Sequence, residues 1–272
     1  MKKFLWTSLK SRLQLVSTQE GKPFNWLFLP GGPGLGSESL NGLVSLLKLP
    51  GSIWRLDLPG DGSNLTTDDS SYFSSWSEAL VEAVESLDNV ILVAHSTGGM
   101  YVLATKKLEQ LLMGLVLMDS APDASWQTFF MEYVNQNPIA NLEQLQDQYL
   151  THPCNETLKQ LTIASAPYLF TKSGFEKGVI LLQQLPFNYK TSEWSTQHFD
   201  THFKAQWIPQ TIPTLIFAGD QDRITPLKLF TQLEAFKKDN ILIKEITAAG
   251  HYPWIDNPDE VKLAFSEYCQ ML

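Results

Sequence analysis

Val90-Ile91-Leu92-Val93-Ala94-His95-Ser96-Thr97-Gly98-Gly99 is the stretch of this 272-residue chain from which its fold is read. A β-branched apolar run ends at a serine, small residues follow, and a helix-compatible segment, Met100 to Leu111, begins. Strand, sharp turn and helix in that order are the context of a nucleophile elbow, which holds a serine with its hydroxyl exposed. Small residues are required there because neighbouring side chains would collide where the turn is tightest. Ala94 and Gly98 occupy the two glycine positions of a G-x-S-x-G pattern, and alanine is the mildest replacement for glycine. The bland alternative is a serine that merely closes a strand. Three other segments decide against it.

Working outward, short apolar runs at Leu13–Ser17, Trp26–Leu29, Ser52–Leu58, Val90–Ala94 and Gly114–Met118 read as strands. Between them, Tyr72–Leu87 places Phe73, Trp76, Leu80, Val84 and Leu87 at helical spacing. The alternation returns late in the chain, with strands at Thr214–Ala218 and Ile241–Ile246 and helices at Pro226–Lys237 and Pro258–Met271. Strands alternating with helices predict an α/β fold, a mainly parallel central sheet flanked by helices. From about Pro122 to Trp207 the rhythm breaks. Helical stretches at Trp126–Val134, Leu142–Leu150, Glu156–Ala164 and Phe175–Leu185 carry many aromatics and no convincing strand. The expected organisation is a core over residues 1–121, an inserted helical lid over 122–207, and the rest of the core over 208–272. A lid is the natural role for the insertion, because ligands of α/β sheets bind at the carboxyl ends of the strands.

Composition narrows the function classes. The chain is 43% hydrophobic and 18% charged, with a net charge of −9. That balance predicts no general affinity for nucleic acid or anionic membranes. No uncharged apolar stretch approaches the length of a membrane span. The opening Met1-Lys2-Lys3 and its short apolar patch Phe4-Leu5-Trp6 are interrupted too soon for a signal-peptide core, so a cytoplasmic location is expected. The two cysteines, Cys154 and Cys269, fit neither a disulfide framework nor a metal-ligand spacing and read as reduced thiols.

An activated serine needs a base, and the base needs an acid to orient it. His251, in Gly250-His251-Tyr252-Pro253, follows the strand Ile241–Ile246 and so lies at the same sheet edge as Ser96. Asp220 and Asp222, after Thr214–Ala218, could each reach it, and Asp119, after Gly114–Met118, is a third candidate better suited to turn formation or capping. For the oxyanion, one backbone N–H would come from Thr97 and the second from Gly32, in Leu29-Pro30-Gly31-Gly32-Pro33-Gly34. That loop has almost no side chains, so its backbone can approach a substrate closely. His198 and His202, with Asp200 between them, have metal-pair spacing but lack the adjacent glutamate and a third ligand, which favours a surface or packing role. No cofactor or metal is implied.

Together these segments resemble the α/β-hydrolase superfamily over essentially the whole chain, closest to the prolyl-iminopeptidase-like serine hydrolases. The resemblance is carried by Pro30-Gly31-Gly32-Pro33-Gly34, Asp57-Leu58-Pro59-Gly60-Asp61-Gly62-Ser63, Gly219-Asp220-Gln221-Asp222 with Pro226, and Gly250-His251. It implies the α/β-hydrolase fold and a triad in the chain order Ser…Asp…His. It selects Asp222 over Asp220 as the acid. Pro30 replaces the family's loop histidine, Ala94 the elbow's first glycine, and Asp61 stands where a histidine is common. These departures bear on the peptidase assignment more than on hydrolysis itself.

The expected activity is therefore cleavage of an ester or amide of a small, fairly apolar molecule or short peptide through Ser96, His251 and Asp222. Carboxylesterase or thioesterase activity is the enzymatic alternative, and a non-catalytic ligand-binding protein is the alternative of another class. An aminopeptidase would need carboxylates to hold the substrate's α-ammonium, for which Glu132, Glu156, Glu176 and Glu193 are available in the insertion.

Overall fold

Eight strands form one sheet in the computed structural model, which describes residues 3–65 and 70–272. Met1 and Lys2, at the start of the N-terminal patch discussed above, lie outside the described residues. The strands are β1 (Lys3–Trp6), β2 (Arg12–Gln19), β3 (Asn25–Leu29), β4 (Gly51–Asp57), β5 (Val90–His95), β6 (Gly114–Met118), β7 (Thr214–Gly219) and β8 (Ile241–Ile246). Their order across the sheet is β1-β2-β4-β3-β5-β6-β7-β8. β2 runs antiparallel to both β1 and β4, and every other neighbouring pair is parallel. This is the α/β-hydrolase fold.

β5 lies inside the sheet, pairing Ala94 with Leu29 of β3 and with Leu117 of β6. All six of its residues are buried, which is why it reads as a continuous apolar run rather than an alternating one. Successive residues face opposite layers. Leu92 and Ala94 join a core with Trp76, Leu80 and Leu103, whereas Ile91 and Val93 join one with Trp26, Phe217 and Phe265. Truncating a side chain as buried as Leu92 to alanine costs about 2–5 kcal/mol.

The helices differ from expectation in two places. The helix after Ser96 runs over Thr97–Ala104 and gives way to a 3-10 turn at Lys106–Gln110. The single helix expected over Pro226–Lys237 is instead a short one at Lys228–Thr231 and a 3-10 turn at Glu234–Phe236, separated by an extended Leu233. Phe230 and Phe236 explain the break. Six residues apart, they would lie about 120° apart around a continuous helix. With the helix broken, both rings are buried and meet edge to face at 4.9 Å.

Between β6 and β7 the chain is helical, with helices at Trp126–Gln136, Leu142–Thr151, Asn155–Ala164, Ala166–Leu169, Phe175–Gln184 and Tyr189–Ser195. It leaves and returns through one neck. Asp123 and Lys204 form an isolated antiparallel bridge, flanked by Ala124 N–H to Phe203 O at 2.9 Å and Ala205 N–H to Pro122 O at 2.8 Å. Among the described residues, no helix is long and apolar enough to cross a membrane.

Candidate active site

Parallel strands put their carboxyl ends on one edge, and the loops leaving β3, β5, β6, β7 and β8 there carry the candidate residues. Ser96 is buried and has φ 51° and ψ −126°, a left-handed turn between β5 and the helix that follows. A non-glycine residue in that region is strained and must be over-determined by its surroundings. Its N–H donates to Met118 O at 2.9 Å, and its carbonyl accepts the Ser120 hydroxyl at 2.8 Å and the Gly99 N–H at 2.9 Å. The glycines beside it leave no room for side chains. A Cβ on Gly98 would fall 2.3 Å from Pro30 O, and one on Gly31 would fall 2.4 Å from the Ser96 Cβ. The glycine-rich loop after β3 is thus packed directly on the serine.

His251 joins the serine to an acid. Its Nδ1 lies 3.0 Å from Asp222 Oδ2 and its Nε2 lies 3.0 Å from Ser96 Oγ. An ionised Asp222 can only accept, so Nδ1–H donates to it and Nε2 is left to accept the Ser96 hydroxyl. Asp222 Oδ1 also accepts the N–H groups of Ile224 at 2.9 Å and Thr225 at 3.2 Å, and Oδ2 accepts the Thr225 hydroxyl at 2.8 Å. Burial alone would raise the Asp222 carboxyl, but the charge and hydrogen bond of His251, with these further bonds, outweigh it and hold the group below its ordinary value.

The three acid candidates now separate. Asp222 is buried and bonded to the imidazole. Asp220 is exposed and accepts the Ala249 N–H at 3.1 Å. Asp119 is fully buried beside the pair, accepts the Gly219 N–H at 3.0 Å, and is held well above the carboxylate range, by burial first and by the charge of Asp222 second. Of the two expected oxyanion donors, Thr97 opens the helix after Ser96, so its N–H has no intrahelical partner. Gly32 follows the glycine that abuts the serine and has φ 56°, a conformation glycine adopts without strain.

Several residues at the site had not been singled out from sequence. His95 lies under the imidazole with ring centroids 4.9 Å apart, and its Nε2–H donates to the His251 carbonyl at 2.9 Å. Burial, then the neighbouring His251 charge, pushes it down to about 3, so it is a neutral prop. Thr225 clamps the acid; its place three residues after Asp222 is the one local signal that could have found it. Asp256 fixes the loop before the histidine by accepting the Gly250 N–H at 2.8 Å, and Leu169 O accepts the His251 N–H at 2.8 Å.

Metal-capable side chains meet once among the described residues, where Asp119, Asp222 and His251 each offer an atom within 4.8 Å of the others. Asp222 and the imidazole are already bonded to each other there, so a cation would have to displace those bonds. His198 and His202 are both exposed, with His198 beside the Trp194 ring and His202 Nδ1 bonded to Thr201 Oγ1 at 2.7 Å. Of the insertion's four glutamates, Glu132, Glu156 and Glu176 are exposed and Glu193 is half-buried.

A model of the alpha/beta hydrolase family matches residues 26–262. A Mycoplasma genitalium protein provisionally named esterase/lipase 2 is 26% identical over 255 residues, 88% of this chain and 86% of that protein. Among solved structures, an alpha/beta fold family hydrolase from Bacillus anthracis superposes with a TM-score of 0.76 at 15% identity, covering 98% of this chain and 99% of that one. A proline iminopeptidase-related protein from Thermus thermophilus gives 0.75 at 18% identity, covering 100% and 98%.

Proposed function

The chain belongs to the alpha/beta hydrolase family, and from that premise we propose that it is a serine hydrolase whose triad is Ser96, His251 and Asp222. One observation carries this reading: a strained serine, an imidazole and a buried carboxylate are joined by two 3.0 Å hydrogen bonds. Ser96 Oγ attacks an ester or amide carbonyl while its proton passes to His251 Nε2. The carbonyl oxygen becomes an oxyanion, held by the N–H groups of Thr97 and Gly32. The tetrahedral intermediate collapses, His251 returns the proton to the departing alcohol or amine, and Ser96 keeps the acyl group. Water, deprotonated by the same imidazole, then releases the acid. Asp222 stays ionised throughout, fixing the ring's tautomer and balancing its charge.

For substrate, we favour small, fairly apolar esters over peptides. Three of the four glutamates that could hold an α-ammonium face solvent, and the provisional esterase/lipase name of the Mycoplasma genitalium relative points the same way. The helical segment 122–207 serves as the lid, pinned by its neck and touching the site through Leu169. A panel of p-nitrophenyl esters and proline-arylamides, run on the native enzyme and on Ser96→Ala, tests both statements. Ester turnover that vanishes with Ser96 supports them. Preferential cleavage of proline-arylamides would reverse the substrate reading, and turnover retained without Ser96 would end the mechanism. The proline iminopeptidase-related likeness is a likeness of fold and leaves the peptidase as the second outcome.

A further inference from the structure

The mechanism leaves one buried carboxyl unused. Asp119 follows β6 at φ 44° and has no solvent exposure. One of its oxygens accepts the Gly219 N–H at 3.0 Å, whereas Oδ2 is buried with no partner. It lies in the 4.8 Å cluster with Asp222 and His251. The other groups acting there are Asp256, a further negative charge, and Tyr252, which remains un-ionised. Two carboxylates this close in a dry site do not both ionise. An orphan carboxylate oxygen is also costly to bury, and a proton on Oδ2 lowers that cost by removing the charge.

We propose that Asp119 and Asp222 form a carboxyl pair carrying one negative charge on behalf of His251. The charge resides on Asp222, and Asp119 is a positioning residue that releases its proton to solvent and takes over the charge when Asp222 is neutralised. This rests on the triad reading above and adds a residue that reading does not use. The directions of the two carboxyls agree with it, Asp119 raised by burial and by Asp222, and Asp222 lowered. Protons on such a pair belong to both members, so the signature is sought in variants that separate them.

The experiment measures the rate of Ser96 labelling by a fluorophosphonate between pH 5 and 9 in four proteins: native, Asp119→Asn, Asp222→Asn and the double variant. Asparagine suits position 119 because it tolerates a left-handed backbone and copies a neutral acid in shape. Asp119→Asn alone is expected to label within about tenfold of native. Asp222→Asn should be slow but should gain rate as Asp119 ionises with rising pH, over and above the rise that general-base catalysis gives all four proteins. The double variant should lose that limb and fall at least about tenfold below Asp222→Asn, because no buried counter-charge remains. A purely structural Asp119 would not create a pH limb that depends on Asp222. Equal rates and equal pH profiles for Asp222→Asn and the double variant overturn the pair and leave the triad intact. A native protein that is not labelled at Ser96 overturns the triad, and the pair with it. Carboxyl carbon-13 NMR gives the same answer should the double variant not fold. Asp119 must be neutral at pH 7 in the native protein and ionised in Asp222→Asn, and an ionised Asp119 in the native protein overturns the proposal.

Discussion

Gly31→Ala probes whether the loop after β3 acts against the serine. The added Cβ would sit 2.4 Å from the Ser96 Cβ and 2.5 Å from the His95 carbonyl oxygen. Carbon atoms pack at about 3.5–4.0 Å, so one side must retreat by about 1 Å. Ser96 is tied at both its N–H and its carbonyl, and the loop is therefore the part that moves. Gly31 does not occupy the left-handed region, so the effect is steric rather than conformational. A displacement of about 1 Å costs about 100-fold in rate, similar to losing one oxyanion donor. We therefore expect kcat on a p-nitrophenyl ester to fall about 100-fold with little change in KM. Overpacking should lower stability by about 1–3 kcal/mol in urea unfolding. Gly42→Ala is the control, since its Cβ would meet the Trp254 ring no closer than 3.6 Å. A Gly31→Ala enzyme with native kcat would refute the reasoning, because the loop would then not hold the oxyanion from that position.

Other variants test the acid and the buried carboxyl behind the loop. Thr225→Val removes a hydroxyl from Asp222 Oδ2 and should cost about 1–3 kcal/mol of stability at neutral pH. Asp222 is lowered in the folded state, so its contribution is present above the unfolded value and lost as pH falls through the folded one. Weakening it should move acid unfolding to higher pH, and an unchanged acid midpoint counts against the clamp. Asp61, which accepts the Gly34 N–H at 2.8 Å, is pushed up to about 8, by burial first and the Asp57 charge second. The folded chain thus keeps a proton that the unfolded chain releases above about pH 4, and stability should fall from there to about pH 8 by on the order of 1 kcal/mol per pH unit. Asp61→Asn should flatten that slope in denaturant titrations, and an unaltered slope would contradict the assignment.

Much of this was legible in the sequence because parallel strands announce themselves. β6 coincides with the run read at Gly114–Met118, since a strand buried on both faces is continuously apolar. β8 coincides with Ile241–Ile246 although it is a half-buried edge strand that carries Lys244 and Glu245. β1 was not legible. Four residues long and largely exposed, it carries no core pattern to read. The broken helix at Leu233 follows from a ring contact that only the folded chain makes. At the site, the elbow could be read from the need for small residues, but the choice between Asp220 and Asp222 came from resemblance. The nearness of Asp119 to Asp222 depends on β6 lying beside β7, which residue spacing does not encode. His95 was visible as a residue and not as a prop, because its partner is 156 positions away.

The central claim is that Ser96 is a nucleophile activated by His251. Fluorophosphonate treatment of the folded native protein, followed by peptide mass spectrometry, tests it most directly. The account predicts one adduct, on Ser96, forming at least about 1000-fold more slowly in His251→Ala and absent from the unfolded chain. An unmodified native protein, an adduct elsewhere, or labelling of Ser96 that is indifferent to His251 would contradict it.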